Sequence, residues 1–359
     1  MVKKQFVPYL QALLAAILFG ASAPLSKLLL NFVEPIPLAG FLYLGSGIGA
    51  LVFLGIQNWL NHGHAAEARL TGREIPWLLG AIFAGGVAAP ILLLIGLQKT
   101  PASTASLLLN FEAAGTTLIA LLFFREAVDK RILWAVGLIT LASILLSWNS
   151  SAWGFSLGAL GILAACLLWG LDNNFTRQIS AKDPLVIVAL KGLGAGSFSL
   201  LLSRVLGKPL PGLLTILLAM LLGVVSYGLS IRLFILALRA LGAARTSSLF
   251  ATAPFVGTLL SLFLLHELPP FLFWLSIPVM LVGAWLMLSE QHVHSHVHMP
   301  SEHIHSHVHP DDHHDHGTVA DPPLVNGSHS HWHRHDRLEH THLHTPDLHH
   351  RHDHSSNDG

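Results

Sequence analysis

Ten stretches of about 20 mostly apolar residues, between Pro8 and Ser289, constrain this chain more than any other feature of it. A bilayer's hydrocarbon core is roughly 30 Å thick and an α-helix rises about 1.5 Å per residue, so one such run spans it once. Approximate limits are 8–30, 35–56, 76–97, 101–124, 131–149, 155–177, 184–205, 212–238, 244–265 and 270–289. The runs are too long and too rich in Leu and Ala for strands. Helices also satisfy their own backbone in lipid, and the many glycines suit close helix–helix approach. The expected fold class is therefore an all-α integral membrane protein with ten transmembrane helices. A soluble enzyme is excluded: only 11% of residues are charged, against about 25% in ordinary soluble domains.

The net charge of zero conceals two unlike parts. Residues 1–289 hold 17 Lys and Arg against 9 Asp and Glu, whereas residues 290–359 hold 3 against 11, with 22 of the 25 histidines. The lone Cys166 sits in an apolar stretch and can form no intramolecular disulfide.

Basic residues set the expected orientation. With the N-terminus inside, the inner segments collect Lys3, Lys4, Arg69, Arg73, Arg125, Lys130, Arg131, Arg177, Lys182, Arg239 and Arg245. The outer loops collect only Lys99, Arg204 and Lys208. This is a strong positive-inside bias. It places the chain in the inner or plasma membrane as a multi-pass protein with both termini cytoplasmic. Lys3 and Lys4 before an apolar run ending in Ala21-Ser22-Ala23 resemble a signal peptide. However, the apolar run continues past that point and Pro24 would follow the cut.

The first segment also has a partner later in the chain. Leu18-Phe19-Gly20 matches Leu168-Trp169-Gly170, and Ser26-Lys27 matches Thr176-Arg177, at an offset of 150. At an offset of 141, Ala102–Leu108 lies over Ala243–Leu249, and Phe124-Arg125-Glu126 over Leu265-His266-Glu267. Two halves of five helices cannot share one orientation, because five is odd. The expected architecture is two inverted five-helix repeats, an arrangement used by secondary transporters. The expected units are 8–149, 155–289, and a disordered His-rich tail at 290–359.

On these residues the chain resembles the drug/metabolite transporter superfamily and, more narrowly, its EamA family. The resemblance rests on Phe19-Gly20 and Trp169-Gly170 in the first helix of each half, and on the small-residue runs from Ala102 to Glu126 and from Ala243 to Glu267. It covers about 8–289 and omits the tail. It implies a cavity between the halves, alternating access, no enzymatic activity, and export of a small solute driven by a proton or substrate gradient. Some members of the superfamily are associated with nickel and cobalt resistance.

A charged side chain costs several kcal/mol at the membrane centre, so each one there is a candidate site residue. Glu112 falls near the midplane of the fourth segment, and Asp172 lies beside Asn173 and Asn174 in the sixth. Lys191 and Arg232 are the bases of the seventh and eighth. These six are the expected substrate or proton pathway. The acids either load and release a proton or pair structurally with the bases. Asn110 is two residues from Glu112 and need not share its face. Lys27 is expected to snorkel to the interface, Glu126 and Glu267 to act as helix caps, and Pro90, Pro254 and Pro278 to interrupt their helices.

From Gln291 the tail is dense in histidine. The candidate metal ligands are His292, His294, His296, His298, His303, His305, His307, His309, His313, His314, His316, His329, His331, His333 and His335. Histidines at i, i+2 and i+4 share one side of an extended chain, and neutral imidazole prefers Ni, Co, Zn and Cu over Mg or Ca. Without cysteine or a fixed ligand quartet, this reads as a loose, exchangeable, multi-ion binder rather than a structural zinc site. The alternative is a pH sensor, since imidazoles charge between about pH 5 and 7. His62 and His64 repeat the spacing in an inner loop.

The expected function is therefore export of a small solute, foremost a divalent transition metal with the tail as collector or sensor. The alternative is a metabolite, amino-acid or drug exporter whose tail only buffers or senses metal. No phosphate-binding loop is present for ATP-driven transport. No resident cofactor is required, though Ni, Co, Zn or Cu ions are expected on the tail. The expected partners are the lipid bilayer and a small solute or divalent metal ion, with a homodimer as an optional assembly and no nucleic acid.

Overall fold

The computed structural model describes residues 2–60, 72–124, 130–149, 154–179, 182–241, 243–288, 292–298, 301–308, 328–335 and 338–344. Eight helical segments are long and apolar enough to cross a membrane. They are α1 (Val7–Leu29), α2 (Pro35–Gln57), α3 (Gly72–Lys99), α4 (Ala102–Phe123), α5 (Lys130–Ser147), α6 (Leu157–Arg177), α7 (Pro184–Val205) and α8 (Leu213–Ala237). The two remaining expected spans are shorter apolar helices, α9 (Ala253–Leu265) and α10 (Phe271–Met287).

The ninth expected span, 244–265, is thus not continuous. A separate helix, Ala243–Phe250, ends at a turn over Ala251 and Thr252 before α9 begins. Pro254, in the first turn of α9, has no N–H to donate back and disfavours helical geometry in the residue before it. The fourth segment breaks at the corresponding place: Ala102–Leu108 and Phe111–Phe123 are separate helices joined through Leu109 and Asn110. The offset of 141 lays Asn110 on Ala251.

A second pair of irregularities follows the same offset. Residues Ile82–Ala88 of α3 and Val224–Leu229 of α8 are π-helical, and 83–88 plus 141 is 224–229. Such wide turns inside α-helices are rare and frequently lie at functional sites. The expected interruption at Pro90 therefore takes the form of a π-turn just before it, with Pro90 seated in the first turn of the resumed α-helix.

Small residues set how closely the helices approach. On the α2–α7 contact, a Cβ added at Gly192 would lie 2.5 Å from the backbone nitrogen of Gly47. Around these contacts Leu38, Leu42, Leu94, Leu97, Leu107, Leu108, Ile139 and Ile162 form one continuous core. The outward faces carry exposed Leu213, Leu214, Leu217 and Leu221, the composition a lipid-facing wall requires.

Polar ties hold both ends. Lys208 pairs with Glu34 at 2.7 Å and Lys182 with Glu74 at 3.0 Å. Between α5 and α6, β1 (Trp148–Asn149) and β2 (Gly154–Phe155) form a short antiparallel pair.

An unstructured tail is expected, but its described residues form four strands. β3 (His292–His298) pairs antiparallel with β6 (Leu338–His344), and β4 (Ser301–Val308) with β5 (Ser328–His335). The alternation that spaces the histidines is also the period of a β-strand, which is why one pattern supports both readings. His309, His313, His314, His316, the His62–His64 pair and Glu126 lie outside the described residues.

Candidate solute site

The polar groups inside the bundle gather where the two halves meet. Lys191 of α7 donates to both carboxylate oxygens of Asp172 in α6, at 2.6 and 2.7 Å, and Thr176 donates to the same carboxylate at 2.9 Å. Asp172 is 5% exposed. One helical turn separates Asp172 from Thr176, and the spacing puts both on the face that Lys191 reaches. Gly85, in the π-helix of α3, leaves room for this carboxylate, since a Cβ there would collide with it.

Glu112 stands apart from that pair. Its carboxylate accepts from Asn173 Nδ2 at 2.9 Å, and Asn173 also donates to Thr116 Oγ1 at 3.1 Å. Asn173 is exposed, and Glu112 only partly buried. Because α4 restarts at Phe111, Glu112 occupies the first turn of a new helix, where the positive end of the helix dipole favours a carboxylate. The break at Leu109 and Asn110 thus supplies part of the environment of the acid two residues later. Asn174 turns the other way, donating to Thr116 O at 3.1 Å and Gly170 O at 2.8 Å, and so ties α6 to α4.

An aromatic wall adjoins these groups. Tyr43 Oη and Trp169 Nε1 both donate to the Gly85 carbonyl, at 2.7 and 3.0 Å, using a backbone acceptor within the π-helix. Tyr43 packs on Tyr227 with ring centroids 5.9 Å apart, Tyr227 on Phe19 at 5.9 Å, and Phe19 on Phe250 at 5.3 Å. Phe19 and Trp169 are repeat-related positions, and Tyr227 lies in the second π-helix. Both halves therefore contribute equivalent elements to one site.

The turn between α3 and α4 is tied to both halves. Lys27 donates to the carbonyls of Leu97, Gln98 and Thr100 at the C-terminal end of α3. Glu267, beyond α9, accepts from the backbone nitrogens of Ala102 and Ser103 at 2.6 and 2.8 Å, and from Ser103 Oγ. A base on a helix C-terminus and an acid on a helix N-terminus both complement the dipoles they meet. Together they clamp the α3–α4 turn from both halves. Lys27 was expected to snorkel; three protein carbonyls hold it instead. Glu267 is a cap as expected, but of a helix in the other half.

The profile of the EamA-like transporter family matches residues 7–148 and again residues 156–289. This chain belongs to the EamA-like transporter family. An uncharacterized transporter of Methanothermobacter thermautotrophicus (strain Delta H) is 29% identical to this EamA-like chain over 297 residues, covering 78% of it and 85% of the relative. One solved crystal structure of a protein superposes with a TM-score of 0.56 at 17% identity, over 77% of this chain and 94% of the other. That likeness speaks to the fold. The two matches agree with the repeat expected from sequence, and the chain is a multi-pass membrane transporter of a small solute.

The structure brings five of the six expected pathway residues to one region. Asp172 and Lys191 form an ion pair, Glu112 pairs with Asn173, and Asn174 braces the backbone. Arg232 is the exception: its guanidinium stacks over Phe53 at 4.9 Å and meets neither acid. Tyr43, Trp169, Tyr227 and the Gly85 carbonyl were missed. Of these, Trp169 carries a sequence signal, as the repeat partner of Phe19. Within the described membrane helices no group of three His, Cys, Asp or Glu is placed to hold a metal ion.

Proposed function

We propose that the chain exports a small organic solute across the cytoplasmic membrane, binding it between the two halves and using Glu112 as the group that exchanges a proton or cation. The chemistry around the two acids carries this reading. Asp172 is neutralised by Lys191 at 2.6 Å, so it has little to offer a cation, whereas Glu112 keeps a single side-chain partner beside an exposed Asn173. The adjoining aromatic rings provide apolar surface, as small-molecule sites commonly do. The inverted five-plus-five arrangement, with both termini in the cytoplasm, gives such a site two alternating entrances. The clamp of Lys27 and Glu267 then closes the outer entrance, leaving the solute to enter from inside.

A divalent transition metal as cargo is the second reading, and the tail's 22 histidines are what favour it. On that reading the tail collects ions for the membrane part; on the first it buffers or senses them. The deciding experiment expresses three forms: the full chain, a chain ending at Ser289, and Glu112→Gln. Cell-associated Ni, Co and Zn and the small-molecule content of the medium are then measured. An organic cargo predicts a compound released by the first two forms but not the third, with metal content following the tail alone. Metal content lowered by the full chain and restored by Glu112→Gln would instead establish the metal as cargo.

A further inference from the structure

The two tail ladders share one register. His292 faces His344 in the first and Ser301 faces His335 in the second; both pairs of residue numbers total 636, as do all the others. The four strands thus follow the register of one hairpin, 292–298 and 301–308 against 328–335 and 338–344. Along it, His292, His294 and His296 stand opposite His344, His342 and His340. His303, His305 and His307 stand opposite His333, His331 and His329.

The histidine phase changes once in each arm. In the first arm the histidines occupy even positions up to His298 and odd positions from His303. In the second they occupy odd positions up to His335 and even positions from His340. At the change of phase this register leaves His298 opposite Leu338 and Ser301 opposite His335. Several intervening positions are matched, although Val297 faces Glu339. Val293 faces Leu343, Ile304 faces Trp332, and Glu302 faces Arg334, apolar and opposite-charge pairs of the kind that stabilise antiparallel strands.

Directly opposed residues have Cβ atoms about 4.5–5.5 Å apart, and successive same-face residues lie about 6.6–6.8 Å apart along a strand. Each ladder therefore sets a grid of six histidine positions on one face, two abreast. A tetrahedral or square ion takes up to four imidazoles, and neighbouring rows supply that number. We propose that each grid binds divalent transition ions between its strands, and that the ions close the hairpin. This rests on the reading of the tail as a metal binder and adds where the ions sit and what they order. A two-stranded hairpin is marginally stable by itself in water, so the bridging ions supply the free energy that holds its arms together.

The test uses the full chain in nanodiscs with Zn²⁺ as the probe, since zinc is redox-inactive. Zinc binding is measured by calorimetry on wild type and on a phase-shifted variant carrying Glu339→His, His340→Glu, Thr341→His, His342→Thr, Leu343→His and His344→Leu. This variant keeps every residue type but moves β6 out of phase with β3. In parallel, nitroxides are placed through Val293→Cys and Leu343→Cys in a Cys166→Ala background, and their separation is read by pulsed electron paramagnetic resonance. Wild type should bind several ions, the shifted variant should lose roughly half of the tightly bound ones with one of two grids gone, and the 293–343 separation should become short and narrow only with zinc. Equal tight binding by the shifted variant, or a separation indifferent to zinc, would overturn the register proposal. No zinc binding by wild type would remove the metal-binding reading itself.

Discussion

Lys191 donates to both oxygens of the Asp172 carboxylate, at 2.6 and 2.7 Å, across the contact between α6 and α7. The pair is nearly enclosed, with side-chain exposures of 17% and 8%. Removing one partner of a buried pair leaves the other charge uncompensated, at a cost of about 3–5 kcal/mol, whereas removing both is often close to neutral. Lys191→Met should therefore unfold at markedly lower temperature in detergent. Asp172→Asn combined with Lys191→Met should recover most of the loss. Single variants as stable as wild type would show the pair to be dispensable.

At the α3–α4 turn, Glu267 accepts from Ala102 N and Ser103 N, two donors that a helix N-terminus leaves without intrahelical partners. Glu267→Ala should cost about 0.5–2 kcal/mol, the range for losing an N-terminal cap. It should also speed labelling of a cysteine at Ser103 by a membrane-impermeant thiol reagent. Unchanged labelling would argue that the clamp does not close this end.

Close packing of α2 on α7 depends on Gly192 lying against Gly47. Gly192→Val forces the helices apart and should destabilise by about 1–3 kcal/mol. Gly137→Ala, on α5 with nothing within 4 Å of its missing Cβ, should be neutral or stabilising by up to about 1 kcal/mol. Thermal unfolding of both in the same detergent checks the contrast.

Basic residues on the segments joining the helices predict both termini in the cytoplasm. Reporters fused to either terminus should both be active only as cytoplasmic reporters. A C-terminus on the other side would require an odd number of crossings and remove the inverted repeat.

Much of this architecture was legible in the chain because membrane helices must be long and apolar, and because the repeat leaves Phe19-Gly20 and Trp169-Gly170 in matching places. Buried ionisable residues announced themselves in the same way, since each is costly in lipid. What stayed hidden depends on local backbone geometry. Nothing in Ile82–Ala88 or Val224–Leu229 spells a π-turn. The break before Phe111, which gives Glu112 its helix N-terminus, has no proline; there the buried Asn110 amide donates to the Leu107 carbonyl at 3.1 Å. Arg232 looked equivalent to Lys191 by composition, yet its helical phase turns it to Phe53. In the tail, alternation was plain, but the pairing of one arm with the other is a long-range relation visible only once both arms are set side by side.

The role of Glu112 is the claim on which the transport account turns. Glutamine at this position keeps the carbonyl oxygen that accepts from Asn173 and removes only the titratable charge, so Glu112→Gln should fold and insert like wild type. Export of the released solute should then be measured from cells holding equal amounts of the two proteins, alongside their unfolding temperatures. The expected result is loss of export, by about tenfold or more, with no change in stability. Export by Glu112→Gln at the wild-type rate would contradict the assignment of this acid to the transport path.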